Sequence, residues 1–229
     1  MELKKHKIAV LGPIPRDTIT THNKEVIKKY GCATHTTIAL SNLMGENGII
    51  YPVTHVRKVD HEPVNKLFSV YDNVDVTHIN SDADQGDVIH LNFVDQNKRL
   101  EKQTAFMNPI LPIDLKDLLD VEVFVCVPVT DFEVPLETLK FIKQYTNASV
   151  VFDAHGPTNA LTTKGDRFTK FWVDRDIWLP YIDVLKMNLE EANCCWFENE
   201  YELSEIENNH EIALEKLPKF AEHCLSHGL

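Results

Sequence analysis

Glycine is scarce in this chain: there are eight among 229 residues, and they are dispersed. Neither a G-x-x-x-x-G-K-[ST] loop nor a G-x-G-x-x-G turn occurs, which removes the two best-known glycine-rich phosphate cradles. Gly12-Pro13-Ile14-Pro15, after the first apolar run, supplies no dinucleotide fingerprint, so a Rossmann-type dehydrogenase is excluded. No G-x-S-x-G elbow is present, which excludes hydrolases of that type. Cysteine is limited to five residues, with Cys194 and Cys195 adjacent and no C-x-x-C pair, so neither a disulfide framework nor a thiolate metal site is expected and a cytoplasmic location is. Basic residues are in deficit, 23 against 35 acidic, and the net charge of -12 leaves no basic footprint for nucleic acid. A phosphorylated small ligand stays compatible, since it needs only a local positive site. No apolar run approaches the ~20 residues of a membrane span, and no cleavable signal follows the charged first residues, so no membrane partner is expected.

What is present reads as an α/β chain. With 43% hydrophobic and 25% charged residues it can bury a full core, most simply as one domain over 1–229 with at most a small appendage. Residues 8–11, 49–53, 121–129, 149–152 and 184–187 are Val/Ile-rich runs expected to be buried strands. Residues 37–44, 62–70, 136–145 and 168–178 read as wholly or partly helical. Strand alternating with helix predicts a three-layer, mainly parallel sheet covered on both faces. Residues 87–94 instead alternate apolar and polar, pass through Asp95-Gln96-Asn97, and continue into an extended stretch at 99–106. That predicts a half-exposed hairpin, an excursion suited to a lid.

Polar residues stand at the ends of the buried runs, where open α/β sheets bind ligands. Asp17 follows the first strand, Asp153 ends the fourth, and Asn188 with Glu191 follows the fifth. Each has a structural alternative. Asn188 and Glu191 have capping-box spacing, Asp153 can cap its turn, and Asp17 can do the same for Thr18 and Thr20. Arg16 could meet a substrate phosphate, with a surface ion pair as the alternative. His223 and His227 have metal-ligand spacing, but no third ligand lies near in sequence, so a solvated helix face is expected. Glu202, Glu205, Glu207, Glu211 and Glu215 read as a solvated acidic surface. Gly228 reads as the stop of a C-terminal helix.

In order, Gly12, Asp17, Gly31 opening a helix, the inserted hairpin, Val151-Phe152-Asp153 and Asp183-Val184-Leu185-Lys186-Met187-Asn188-Leu189-Glu190-Glu191 resemble the ribokinase-like, PfkB-type carbohydrate kinases from about Lys7 onward. The resemblance implies transfer of the ATP γ-phosphoryl to a hydroxyl of a sugar, related polyol or nucleoside. Asp17 and Gly31 would hold the substrate, with Cys32 and Thr36 lining its pocket in place of the family's second Gly and its Asn. Asn188, Glu191 and Asp153 would serve phosphate and Mg²⁺, Glu191 through water, and a monovalent cation can accompany them. Residues 17–33 and 87–106 would be lid elements, through which some members pair as homodimers. The family's catalytic Asp, in a Gly-Ala-Gly-Asp-type segment, has no counterpart in these residues, and it is expected beyond Leu229. The chain is therefore expected to be the sugar-binding N-terminal portion of a kinase, inactive alone. A non-catalytic sugar sensor on the same scaffold is the alternative.

Overall fold

The computed structural model describes residues 4–96, 98–196 and 212–229. The first half contains β1 (His6–Leu11), β2 (Arg16–Thr20), β3 (Val26–Tyr30), α1 (Ala33–Met44), β4 (Gly48–His55), α2 (Lys58–Phe68), β5 (Ile79–Asn80), β6 (Val88–Phe93) and β7 (Arg99–Ala105). The second contains β8 (Val123–Cys126), α3 (Leu136–Tyr145), β9 (Ser149–Asp153), β10 (Asn159–Leu161), β11 (Arg167–Thr169), α4 (Arg175–Trp178), β12 (Val184–Lys186), α5 (Leu189–Cys195) and α6 (Leu217–Ser226). Of the acidic run, Glu202, Glu205, Glu207 and Glu211 lie outside the described residues, as does Asn97 of the hairpin turn, whereas Glu215 is exposed.

Six strands form a parallel sheet in the order β12-β9-β8-β1-β4-β5. Successive strand residues face opposite sides, and β1 shows the consequence. Ile8 and Val10 join Ala33, Val64 and Phe68 beneath α1 and α2, while Ala9 and Leu11 join Leu139, Ile142, Trp178 and Phe220 on the other side. Both faces are therefore covered, as the unbroken apolar runs require. On the α3 side Phe152, Trp172 and Trp178 pack together with ring centroids 5.7–6.0 Å apart. Burying each such ring is worth roughly 1.5–3 kcal/mol.

A second, four-stranded sheet has the order β3-β2-β6-β7. It is built from the two excursions expected at 17–33 and 87–106, and β2 and β6 pair in parallel at its centre. In the core sheet the chain leaves β1 toward β4 but leaves β8 toward β9, so connections diverge at the carboxyl ends of β1 and β8. That divergence opens a ligand crevice.

Several boundaries differ from expectation, the strand expected over 121–129 being confined to Val123–Cys126, where it pairs with β1 and β9. Helix α1 starts at Ala33 rather than 37, because the Ala33 amide donates to the Pro13 carbonyl at 3.0 Å and anchors a threonine-rich first turn. Helix α2 starts at Lys58, with the Lys58 amide donating to the Asp84 carboxylate at 2.8 Å. Residues 168–178 are helical only from Arg175, since Phe168 instead pairs with Ala160 in the β10–β11 hairpin. Strand pairing there overrides a helical pattern. Among the described residues no helix is long and apolar enough to cross a membrane.

Candidate functional site

The crevice begins at Gly12, where a Cβ would lie 2.6 Å from the Val127 carbonyl oxygen, so only glycine lets the ends of β1 and β8 approach. The Cys32 thiol donates to that same carbonyl at 3.0 Å. Cys32 is the N-cap residue of α1 with φ of 45°, a conformation that favours glycine, and burial pushes its thiol well above the ordinary value. Gly31 packs against Asp17, since a Cβ there would fall 2.2 Å from Oδ2. Asp17 and Gly31 are thus in contact, with Cys32 next in the chain and bonded to Val127. Thr36 sits half-buried one turn into α1.

Asp17 is inside strand β2 rather than capping a turn, and its side of the second sheet is buried. Strand register aligns Asp17 with Ile89 and Ile89 with Gln103, so the three share one face. Asp17 retains 6% of its surface and Gln103 2%. Burial pushes the Asp17 carboxyl up to about 6, against the charges of Lys29 and Arg167. Beside this row Arg167 bonds Gln103 Oε1 at 3.2 Å and pairs with Glu101 at 3.1 Å, and its charge also acts on Asp87. Two buried polar atoms here have no hydrogen-bond partner: Asp17 Oδ1, which accepts, and Arg167 Nε, which donates. The Asp87 carboxylate also interacts with the side chains of Gln103 and Glu133.

Asp87, at the root of β6, is fully enclosed with Glu133. The amides of Val129 and Thr130 donate to Glu133 Oε2 at 2.6 and 3.2 Å, and the Met107 amide donates to Asp87 Oδ1 at 2.6 Å. Burial raises both carboxyls, and Asp87's charge raises Glu133 further. Arg16 does not make the surface pair expected of it. It reaches the buried Asp60 at 3.3 Å, and Tyr30 donates to the same oxygen at 2.9 Å.

At the end of β12 the capping box is real: Asn188 Oδ1 accepts from the Glu191 amide and Glu191 Oε2 from the Asn188 amide, both at 2.8 Å. Such a cap stabilises a helix by about 1 kcal/mol. Glu191 Oε1 also meets His155 Nδ1 at 3.0 Å. Burial opposes the charged Glu191, yet His155 and the Asn188 amide hold its carboxyl below the usual value. Asp153 caps its turn by accepting from the His155 amide at 3.1 Å, and its other oxygen pairs with Lys186 at 3.0 Å. Burial works against the Lys186 ammonium, but Asp153 keeps it above the usual lysine value. A cleft of about 530 Å³ opens here, lined by residues including Arg99, His155, Asn159, Arg167, Asn188 and Glu191. It links the second sheet to the start of α5, and Arg167, which lines it, also bonds Gln103 of the buried row. Asp17, Gly31, Cys32, Thr36 and Asp153 stand outside its lining.

No direct three-ligand metal set forms at Asp153 and Glu191 among the described residues. Their carboxylate oxygens are hard donors already hydrogen-bonded, which suits a Mg²⁺ ion that keeps its waters. The three-ligand group lies elsewhere. His223 and His227, expected on a solvated helix face, converge with Asp176 of α4. Sequence reasoning also missed His155, Gln103, Glu133 and Arg167. His155 follows Asp153 by two residues, a usable signal, whereas Gln103, Glu133 and Arg167 are brought in only by folding.

No protein-family model and no curated protein matches the chain. Solved structures do. A sulfate complex of a pyrophosphate-dependent kinase in the ribokinase family is 17% identical with a TM-score of 0.72, covering 96% of this chain and 70% of that one. The complex of such a kinase with a pyrophosphate analogue and myo-inositol is 18% identical with a TM-score of 0.70 and the same coverage. Ribokinase from Giardia lamblia is 14% identical with a TM-score of 0.69, covering 99% of this chain and 67% of that one. The order of the parallel sheet, the second sheet rooted beside its carboxyl edge and these likenesses together give the chain the ribokinase-like fold of the PfkB-type carbohydrate kinases.

Proposed function

We propose that this chain holds the acceptor of a carbohydrate kinase, binding a sugar or related polyol or nucleoside for transfer of the ATP γ-phosphoryl to one of its hydroxyls. The observation that carries this reading is the buried Asp17 carboxylate, whose Oδ1 has no hydrogen-bond partner, with the unpartnered Arg167 Nε on β11. Unsatisfied buried polar groups are costly, and hydroxyls, which both donate and accept, would satisfy an acceptor and a donor of this kind.

In this mechanism Asp17 accepts from substrate hydroxyls, while Gly31 keeps the backbone close enough for that carboxylate to be held in place. Positioning of this kind is a large part of catalysis in phosphoryl transfer. Asn188 and Glu191 face the phosphates at the mouth of the cleft, with Lys186, Arg167 and His155 supplying positive charge nearby. Mg²⁺, held through water by Glu191 with Asp153 in support, would neutralise phosphate charge. The second sheet would act as the lid, excluding water from the acceptor. Its exposed Val26, Ile27 and Leu100 offer an apolar face to a second copy. Five free thiols suit the reducing cytoplasm.

The proposed transfer takes its catalytic Asp from a Gly-Ala-Gly-Asp-type segment, which does not occur among these 229 residues. The second reading is a sugar sensor on the same scaffold, in keeping with Cys32 and Thr36 at the positions of the family's second Gly and its Asn.

A thermal-shift screen against pentoses, hexoses, polyols including myo-inositol, and nucleosides tests the reading, since a ligand of the native state stabilises it by mass action. One class should raise the transition, and Asp17→Asn should abolish that rise. No shift with any member would refute the substrate assignment. Assaying transfer from ATP or pyrophosphate, with and without a protein carrying the missing segment, separates kinase from sensor.

A further inference from the structure

Away from the cleft, the end of helix α6 meets α4 through three side chains whose chemistry the sugar site does not use. His223 and His227 are four residues apart, so their rings lie on one helix face, stacked with centroids 4.1 Å apart. Both point at one carboxylate from a distant part of the chain. His223 Nε2 is 2.7 Å from Asp176 Oδ1, and His227 Nε2 is 3.9 Å from Asp176 Oδ2. One ligand atom from each residue lies within 4.8 Å of the others. We propose that Asp176, His223 and His227 bind a zinc-type divalent cation that ties α6 to α4.

The second layer of contacts fits a ligand role. His227 Nδ1 is 2.8 Å from the His223 carbonyl. A carbonyl oxygen only accepts, so Nδ1 donates and Nε2 of the neutral ring is left with its lone pair toward Asp176. Metal-bound histidines are usually fixed in this way by a bond from the other nitrogen. Two imidazoles and a carboxylate suit Zn²⁺ better than Mg²⁺ or Ca²⁺, which favour all-oxygen sets. Three protein ligands leave a fourth position for water. Asp176 and His227 keep 40% of their side-chain surface and His223 22%, so an ion can enter from solvent.

Two features oppose the ion. The guanidinium of Arg175 lies 3.3 Å from His223 Nε2, and its charge weakens cation binding. A proton can also serve as occupant, His223 then simply pairing with Asp176. The thiols of Cys194, Cys195 and Cys224 are not part of this cluster: among the described residues only Asp176, His223 and His227 bring ligand atoms together here.

The test is titration of the metal-free chain with Co²⁺ and Zn²⁺, read by visible absorption and by calorimetry, for the unaltered chain, Asp176→Asn and His227→Gln. One ion per chain is expected, with ligand-field bands of nitrogen and oxygen ligation. Each variant should weaken binding by more than the roughly 10–100-fold typical of losing an outer-shell partner. Zn²⁺ should raise the thermal midpoint of the unaltered chain and leave that of His227→Gln unmoved. His227 is an exposed residue just after the helix, so its variant reports on the site and not on folding. Absence of stoichiometric binding, binding equal in both variants, or thiolate charge-transfer bands would overturn the proposal and leave a proton-linked ion pair.

Discussion

Asp17 should weaken the fold that it serves. Its carboxyl has a pKa of about 6 in the native chain against 3.8 for the free side chain, because burial disfavours the charged form. Between those values the native state holds a proton that the unfolded state has released, so stability is full below about pH 4 and falls as pH rises to about 6. A difference of about two units corresponds to about 3 kcal/mol, or about 1.5–3 kcal/mol once residual solvent screening is counted. Asp17→Asn removes this titration without changing side-chain shape. The new amide adds its own offset of about 1–3 kcal/mol if it finds no acceptor, but that offset is independent of pH. The quantity to measure is therefore the stability of the variant relative to the unaltered chain, by urea unfolding, at about pH 4 and at pH 7. The variant should gain about 1.5–3 kcal/mol over that interval while losing ligand-induced stabilisation. A relative stability that does not change with pH would refute the claim that burial imposes a charge penalty at this position.

Gly31→Ala places a Cβ 2.2 Å from Asp17 Oδ2, so the carboxylate must move by about 1 Å. A shift of that size costs on the order of 10²-fold in positioning, while overpacking of about 1–3 kcal/mol is partly offset by about 0.4–1 kcal/mol from a less flexible unfolded chain. Calorimetry with the ligand from the screen should show a large affinity loss beside a small change in melting. Asn188→Ala should cost about 1 kcal/mol by denaturant unfolding through loss of the cap on α5, and no measurable loss would remove that bond from the account. Glu191 is held below its usual pKa, so it adds stability above its unfolded value that is lost as pH falls through the folded one. Glu191→Gln should therefore be less stable at pH 7, with the gap closing in acid. In an intact enzyme it should reduce Mg²⁺-dependent turnover far more than sugar binding, and equal losses would assign Glu191 to capping alone.

The strands and α3 were legible because burial leaves a direct trace in composition. The runs at 8–11 and 149–152 are apolar on both sides because both sides of the sheet are covered, and Leu139 and Ile142 mark the inner face of α3 at helical spacing. Residues 168–178 misled because Phe168, Phe171 and Trp172 fall at i, i+3 and i+4, while Phe168 is held by its partner strand in the β10–β11 hairpin. The site divided along the same line. Gly31, Asn188 and Glu191 lie at helix starts that their own neighbours create, whereas Asp17 lies inside β2.

The sequence by itself determined the alternation of strand and helix, the hairpin, the capping box and the positions where polar residues end buried runs. These depend on periodicity and on contacts a few residues long. Only the tertiary structure decided which carboxylates are pushed up by burial, that Gln103 and Arg167 stand beside Asp17, that His155 holds Glu191, and that Asp176 reaches His223 and His227. Those outcomes follow from strand register and from packing between segments as far apart as α4 and α6, and no local pattern carries that information.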